Sequence, residues 1–139
     1  MSDDDPQKPR PALMRVLQPD AAVGHSYVPG LVVRGRELIF VSGQIPTRDG
    51  GVVDDSIEVQ VAVVLGKIES ILHEASASLC DVVRCGVFVA DLDQLPLVNE
   101  AYRKAFGEHL PTRTTVGANL PGYGVEIDCI AVVPSHPMA

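Results

Sequence analysis

Tryptophan is absent from this chain, and with three Tyr and three Phe the aromatics reach only 4% of its 139 residues. A base-stacking platform for single-stranded nucleic acid has almost nothing to be built from. Positive charge is also scarce: 11 Lys plus Arg stand against 18 Asp plus Glu, a formal net charge of −7. Such a surface repels phosphate backbones, which argues against nucleic-acid binding as the main task. Nowhere does an apolar run approach the ~18 residues of a membrane span. Only three cysteines occur, Cys80, Cys85 and Cys129, an odd number without a C-x-x-C pair. That argues against a disulfide framework and a structural zinc site, and buried free thiols are expected. His25, His73, His109 and His136 are scattered without metal-ligand spacing; His73 and His109 read as solvated helix positions. The acidic start, Met1-Ser-Asp-Asp-Asp-Pro, is not the basic-then-apolar pattern of a secretory leader. A cytoplasmic location follows as the expectation.

What is present is 46% hydrophobic, enough for one compact domain with an aliphatic core of Val, Leu, Ile and Ala. Residues 1–13 are rich in Asp and Pro and read as a disordered tail. Residues 14–134 carry the domain, and 135–139 form a second tail.

Leu31 to Gln44 reads as two strands around the polar break Arg34-Gly35-Arg36-Glu37. Asp54-Asp55-Ser56-Ile57 then opens a helix. Its apolar residues Ile57, Val61, Val64, Leu65, Ile68, Ile71, Leu72 and Ala75 recur at three- and four-residue steps. Gly66, costing about 1 kcal/mol against Ala, is read as a site of close packing. Asp81–Ala90 predicts a strand, and Leu95–His109 a second helix with Pro96 in its first turn. Thr114–Ala118 and Val125–Val133 read as a final hairpin across Asn119-Leu-Pro-Gly-Tyr-Gly124. The order β-β-α-β-α-β-β predicts an α+β fold, with two helices on one face of a single sheet. Strands apolar in both directions, with helices for only one face, call for a partner, and homo-oligomerisation is inferred.

The predicted hairpin holds the most suggestive polar residues. Arg113 and Thr115 share one strand face by alternation. A turn centred near Leu120–Pro121 would set Thr115 opposite Glu126. An Arg fork binds a carboxylate through two parallel hydrogen bonds. A Glu beside it could take a proton from water, with the Thr hydroxyl holding that water. The same spacing fits a plain cross-strand ion pair between Arg113 and Glu126.

His109-Leu-Pro111-Thr-Arg113-Thr-Thr115-Val, then Leu120-Pro121, then Val125-Glu126-Ile-Asp-Cys-Ile-Ala131-Val resembles the C-terminal signature of the RidA (YjgF, reactive intermediate deaminase) family. Upstream, Val41-Ser-Gly-Gln-Ile-Pro46, Val87-Phe-Val-Ala-Asp-Leu92 and Val98-Asn99-Glu-Ala-Tyr102 match the family in the same order, over roughly residues 23 to 134. The resemblance implies a chorismate-mutase-like (YjgF-like) fold, a homotrimer with sites between subunits, and no cofactor or metal. It implies hydrolysis of 2-imino acids and their 2-enamine tautomers, such as 2-iminobutanoate and 2-iminopropanoate, to 2-oxo acids and ammonia. Carried over, the carboxylate-binding Arg is Arg113, the water-activating acid is Glu126, and the Cys or Ser after the Arg is Thr115. Gly43 supplies a main-chain contact and Asn99 lies near the cleft. The family's Gly-Pro-Tyr-Ser segment reads Gly24-His25-Ser26-Tyr27 here, so its aromatic lid falls on Tyr27, with His25 the other candidate. Connections on both sides of Arg113 are shorter than the family's, which leaves room for another substrate such as 2-aminomuconate. A non-catalytic trimer that binds small carboxylates is the reading outside enzymes.

Overall fold

The computed structural model describes residues 14–22, 24–35 and 37–134. The tails expected over 1–13 and 135–139, with His136, lie outside the described residues. Strands β1 (Met14–Leu17) and β2 (Gly30–Val33) pair antiparallel as a separate ribbon. After β3 (Leu38–Gln44), β4 (Thr47–Arg48) and β5 (Gly51–Val52) make a small hairpin. Helix α1 (Ile57–His73), β6 (Val82–Val89), α2 (Leu95–Phe106), β7 (Thr112–Gly117) and β8 (Val125–Val132) follow. The main sheet has four strands in the order β3-β8-β6-β7. The fold is α+β with both helices packed together, as expected, but the strands do not join one sheet.

Each helix begins where local chemistry supports it. The Ser56 hydroxyl caps α1 by accepting from the Val59 N–H at 3.3 Å, which satisfies one of the orphan donors of the first turn. The predicted stripe is the buried one: Val61, Val64, Ile68 and Leu72 are fully enclosed. Each such side chain contributes about 1.5–3 kcal/mol by leaving water. Gly66 corrects the close-packing expectation, since it is exposed and a Cβ there would meet nothing within 4 Å. Helix α2 ends at Phe106, three residues earlier than expected, because Gly107 turns the backbone to φ +63. His109 therefore lies beyond the helix and is buried, contrary to its reading as a solvated helix position.

The predicted hairpin is absent. β7 pairs parallel with β6, and β8 pairs antiparallel with β6 on its other side. The physical reason is the crossover: parallel neighbours need a long connection, and β6–α2–β7 supplies one. Residues 118–124 then arch over the end of β6, fastened by Ala118 N–H to the Val89 carbonyl and Ala90 N–H to the Gly124 carbonyl, each 3.0 Å.

The helices cover the face that carries Val41, Cys85, Val87, Ile127 and Cys129. Among the described residues no helix lies over the opposite face, which exposes Leu38, Phe40 and Val116, Phe40 to 72%. Cys85 and Cys129 face each other across β6 and β8, and both are free thiols. Burial pushes each thiol up from 9.0 to about 12. Below pH 9 these groups are protonated folded or unfolded. Above it the unfolded thiols ionise first, so they draw the equilibrium toward unfolding until the folded pair titrates. We expect stability to decline between about pH 9 and 12 from this source. Native protein at pH 8 should leave both thiols unalkylated by iodoacetamide and react at them only in denaturant, which peptide mass spectrometry reads directly.

Candidate functional site

Register decides which of the expected site residues can meet. Arg113 lies opposite Cys85, and Thr115 opposite Val87. Cys85 and Val87 point into the helix-covered core, so Arg113 and Thr115 point to that side too. Glu126 pairs with Phe88 and stands between the fully buried Val125 and Ile127. Its side chain therefore points to the uncovered face. Thr115 is not opposite Glu126, and within one chain Arg113 and Glu126 form neither an acid–base cluster nor an ion pair. The cause is the intervening strand β6 and the two-residue period of side-chain direction.

The expected residues fall instead into two groups. The first surrounds Arg113. One guanidinium nitrogen, Nη2, donates to Asn99 Oδ1 at 2.6 Å, and the guanidinium carbon sits 4.8 Å over the Tyr102 ring. Asn99 and Tyr102 are three residues apart on α2, so one helix face offers both an acceptor and a π cloud to the same cation. Tyr102 is fully buried and packs its ring 4.6 Å from that of Phe106. Burial first, with the Cys85 thiol beside it, holds the Tyr102 hydroxyl well above its ordinary pKa, so the ring is a neutral platform. The other nitrogen, Nη1, and the Thr115 hydroxyl are both buried without a hydrogen-bond partner among the described residues. Burial lowers the Arg113 pKa, though a guanidinium stays charged at any ordinary pH. A desolvated cation with an unused donor is an arrangement suited to an anion.

The loop before β2 closes this group. The Val28 N–H donates to the Pro111 carbonyl at 3.1 Å, which ties residues 24–28 to the start of β7. Ser26 is buried and accepts from Arg103 Nη1 at 3.4 Å. Tyr27, the expected lid, is 36% exposed, and its ring stacks on His25 at 5.1 Å. Both lid candidates are therefore in one place. Sequence reasoning missed Tyr102, named only as the end of a family-like block, and Arg103. Their spacing from Asn99 on one helix was the available signal.

The second group surrounds Glu126 on the open face. β3 bulges between Val41, opposite Cys129, and Gln44, opposite Ile127. The extra residue brings the Gly43 backbone against the Glu126 side chain, where a Cβ would overlap its Oε2. A side chain at this position would push the carboxylate aside. The Tyr123 hydroxyl donates to Glu126 Oε1 at 3.4 Å, and desolvation together with that carboxylate raises the Tyr123 pKa. Glu126 is thus held from two sides with its second oxygen over the bulge.

The fold and the two groups define a class, and comparison with known proteins names it. Residues 18–133 match the family described as Endoribonuclease L-PSP, the group that includes the YjgF/RidA proteins, and the chain belongs to that family. Among relatives, MMF1 of Saccharomyces cerevisiae, named as mitochondrial, is 36% identical over 119 residues, covering 84% of this chain and 79% of that protein. Escherichia coli TdcF, whose name reads "Putative reactive intermediate deaminase TdcF", is 35% identical over 112 residues, covering 74% and 87%. A crystal structure of E. coli TdcF with bound serine superimposes with a TM-score of 0.64 at 35% identity, over 76% of this chain and 87% of that one. Among the described residues no helix is long and apolar enough to cross a membrane.

The overlap at Gly43 yields a direct test of the second group. Gly43→Ala must displace the Glu126 carboxylate; with Glu126 in the role that the family resemblance implies, a shift of about 1 Å costs on the order of 100-fold in turnover. Circular dichroism should report an unchanged fold while the imine-hydrolysis assay described below loses rate by that factor. Full activity in Gly43→Ala would remove Glu126 from the site.

Proposed function

We propose that the protein hydrolyses reactive 2-imino acids, and their 2-enamine tautomers, to 2-oxo acids and ammonia. The observation that carries this reading is the half-buried Arg113, held by Asn99 and Tyr102 with a buried donor left over. Membership of the family and likeness to TdcF support the same activity. The family's printed name refers to RNA cleavage, but a net charge of −7 and 4% aromatics speak against an RNA substrate.

In this reading Arg113 grips the substrate carboxylate and so orients the adjacent C=N carbon. Water attacks that carbon, forming the C–O bond. Its proton goes to the Glu126 carboxylate, and the C=N electron pair goes to nitrogen. Glu126 returns that proton to nitrogen, which gives the neutral tetrahedral carbinolamine. In its collapse Glu126 moves the hydroxyl proton to the same nitrogen, an oxygen pair forms the C=O bond, the C–N bond breaks, and ammonia leaves. One water is consumed and no redox change occurs. The Thr115 hydroxyl holds the water, Gly43 offers its main chain, and Tyr27 shields the site with His25 beside it. No metal or organic cofactor enters any step.

Arg113 and Glu126 serve one substrate only if a second copy brings its Glu126 face to the Arg113 edge of the first. The exposed Leu38, Phe40 and Val116 on the same face as Glu126 support burial of that face between copies. We therefore propose a homotrimer with three sites between subunits. Three buried free cysteines support a reducing compartment such as the cytoplasm.

The test generates imines with an amino-acid oxidase and follows their loss with and without the protein. Acceleration is expected, and Arg113→Ala should lower kcat/KM by about 100-fold, since two charge-assisted hydrogen bonds are worth about 3 kcal/mol together. Glu126→Gln should lower kcat and leave KM nearly unchanged. Light scattering should give three times the 14.8 kDa chain mass. Absence of acceleration with every amino acid tried would overturn the deaminase reading; binding of 2-oxo acids without turnover would leave a carboxylate-binding trimer.

A further inference from the structure

Arg113 is not the only cation in its group. Asn99, Tyr102 and Arg103 occupy α2 at steps of three and one, so Asn99 and Arg103 are neighbours one helical turn apart. Asn99 holds Arg113 at 2.6 Å, while Arg103 reaches Ser26 Oγ at 3.4 Å in the loop that β7 fastens through Pro111. Both guanidinium groups are thus anchored from α2, Arg103 to the loop in which Tyr27 stacks on His25. Neither has an Asp or Glu within ion-pair distance among the described residues.

Two like charges held together without a counter-ion repel each other, and the Arg103 charge is one of the influences that lower the Arg113 pKa. The chain has 18 Asp and Glu against 11 Lys and Arg. Among the described residues acids were available to neutralise the pair, and none does so. The overall field of an acidic protein also disfavours approach of an anion, so attraction has to be local. A ligand with one carboxylate would satisfy Arg113 and leave Arg103 repelled. A ligand with two would satisfy both.

We propose that Arg103 is a second anion-binding residue of the Arg113 site, and that the preferred substrate is a 2-imino acid bearing a second carboxylate on its side chain. The proposal rests on the carboxylate reading of Arg113 and adds the substrate class. The chemistry is unchanged: water adds at the imine carbon, ammonia leaves, and the product is a 2-oxo dicarboxylic acid.

Binding of product-like acids separates this proposal from the deaminase reading. Calorimetry on the full chain would compare 2-oxopentanedioate with 2-oxopentanoate, which has the same carbon chain and one carboxylate fewer. Because Arg103 is solvent-exposed, we expect the diacid to bind about 5- to 10-fold tighter at low salt, with the preference shrinking as salt is raised. Arg103→Gln should abolish the preference while leaving the monoacid affinity within about twofold, and Arg103→Lys should retain part of it. With oxidase-generated imines from glutamate and norvaline, the same variant should raise KM for the diacid only. Equal affinities in the wild type, or a preference that survives Arg103→Gln, would overturn the proposal and leave Arg113 as the carboxylate site. Failure of both acids to bind, or binding that persists in Arg113→Ala, would overturn the carboxylate reading and this proposal together. A diacid preference lost in Arg103→Gln, with no imine turnover, would uphold the second anion site and remove only the deaminase activity.

Discussion

Parallel pairing of β7 with β6, with Arg113 opposite Cys85, is the constraint on which the site depends. It turns the guanidinium toward α2, where Asn99 and Tyr102 meet it. The same pairing leaves β7 at the edge of the sheet and pushes the last connection over the end of β6. Glu126 on β8 is then separated from Arg113 by a strand and by a sheet face. A barrier of hydrogen-bonded backbone stands between the proposed acid–base group and the proposed anchor. Separation of this kind makes the uncovered face a functional surface as well as an apolar one, since the chemistry proposed for Glu126 needs whatever covers that face.

Electrostatics follow the same geography. The covered side carries neutral, heavily desolvated groups: two thiols pushed up to about 12 and a Tyr102 hydroxyl held protonated. Arg113 is tolerated on this side because an amide oxygen and an aromatic face take part of its solvation shell. The open face keeps its carboxylates wet: Asp128 meets Arg84 at 3.7 Å and the Gly86 N–H at 3.1 Å. Glu126 has a hydroxyl and a glycine for company.

Much of the fold was legible because its signals are local. The α1 stripe from Ile57 to Leu72 repeats at helical spacing, and burial follows that spacing. Pro96 and Gly107 punctuate α2 by covalent geometry alone, although Gly107 stops the helix before the apolar pattern suggested. The final hairpin was misjudged because turn residues at 119–124 say that the chain bends, not which strand it returns to. Seven residues are enough to reach the next strand or to step over one. Membership of the family was legible too, because it rests on ordered short blocks that need no three-dimensional argument. Tyr102 was legible only as the end of a family-like block, since an aromatic on a helix gives no sign that a cation will sit on it.

By itself, then, the sequence determined the elements and the residue types: an aliphatic core, the helix faces, thiols out of water, and an Arg, a Thr and a Glu in a family-like order. Tertiary structure decided their company. Strand alternation assigns each residue a side, but which sides meet depends on pairing partners many residues away. The crossover through α2 made that choice. It set Arg113 and Thr115 against the helices and Glu126 and Gly43 on the far side of the same sheet.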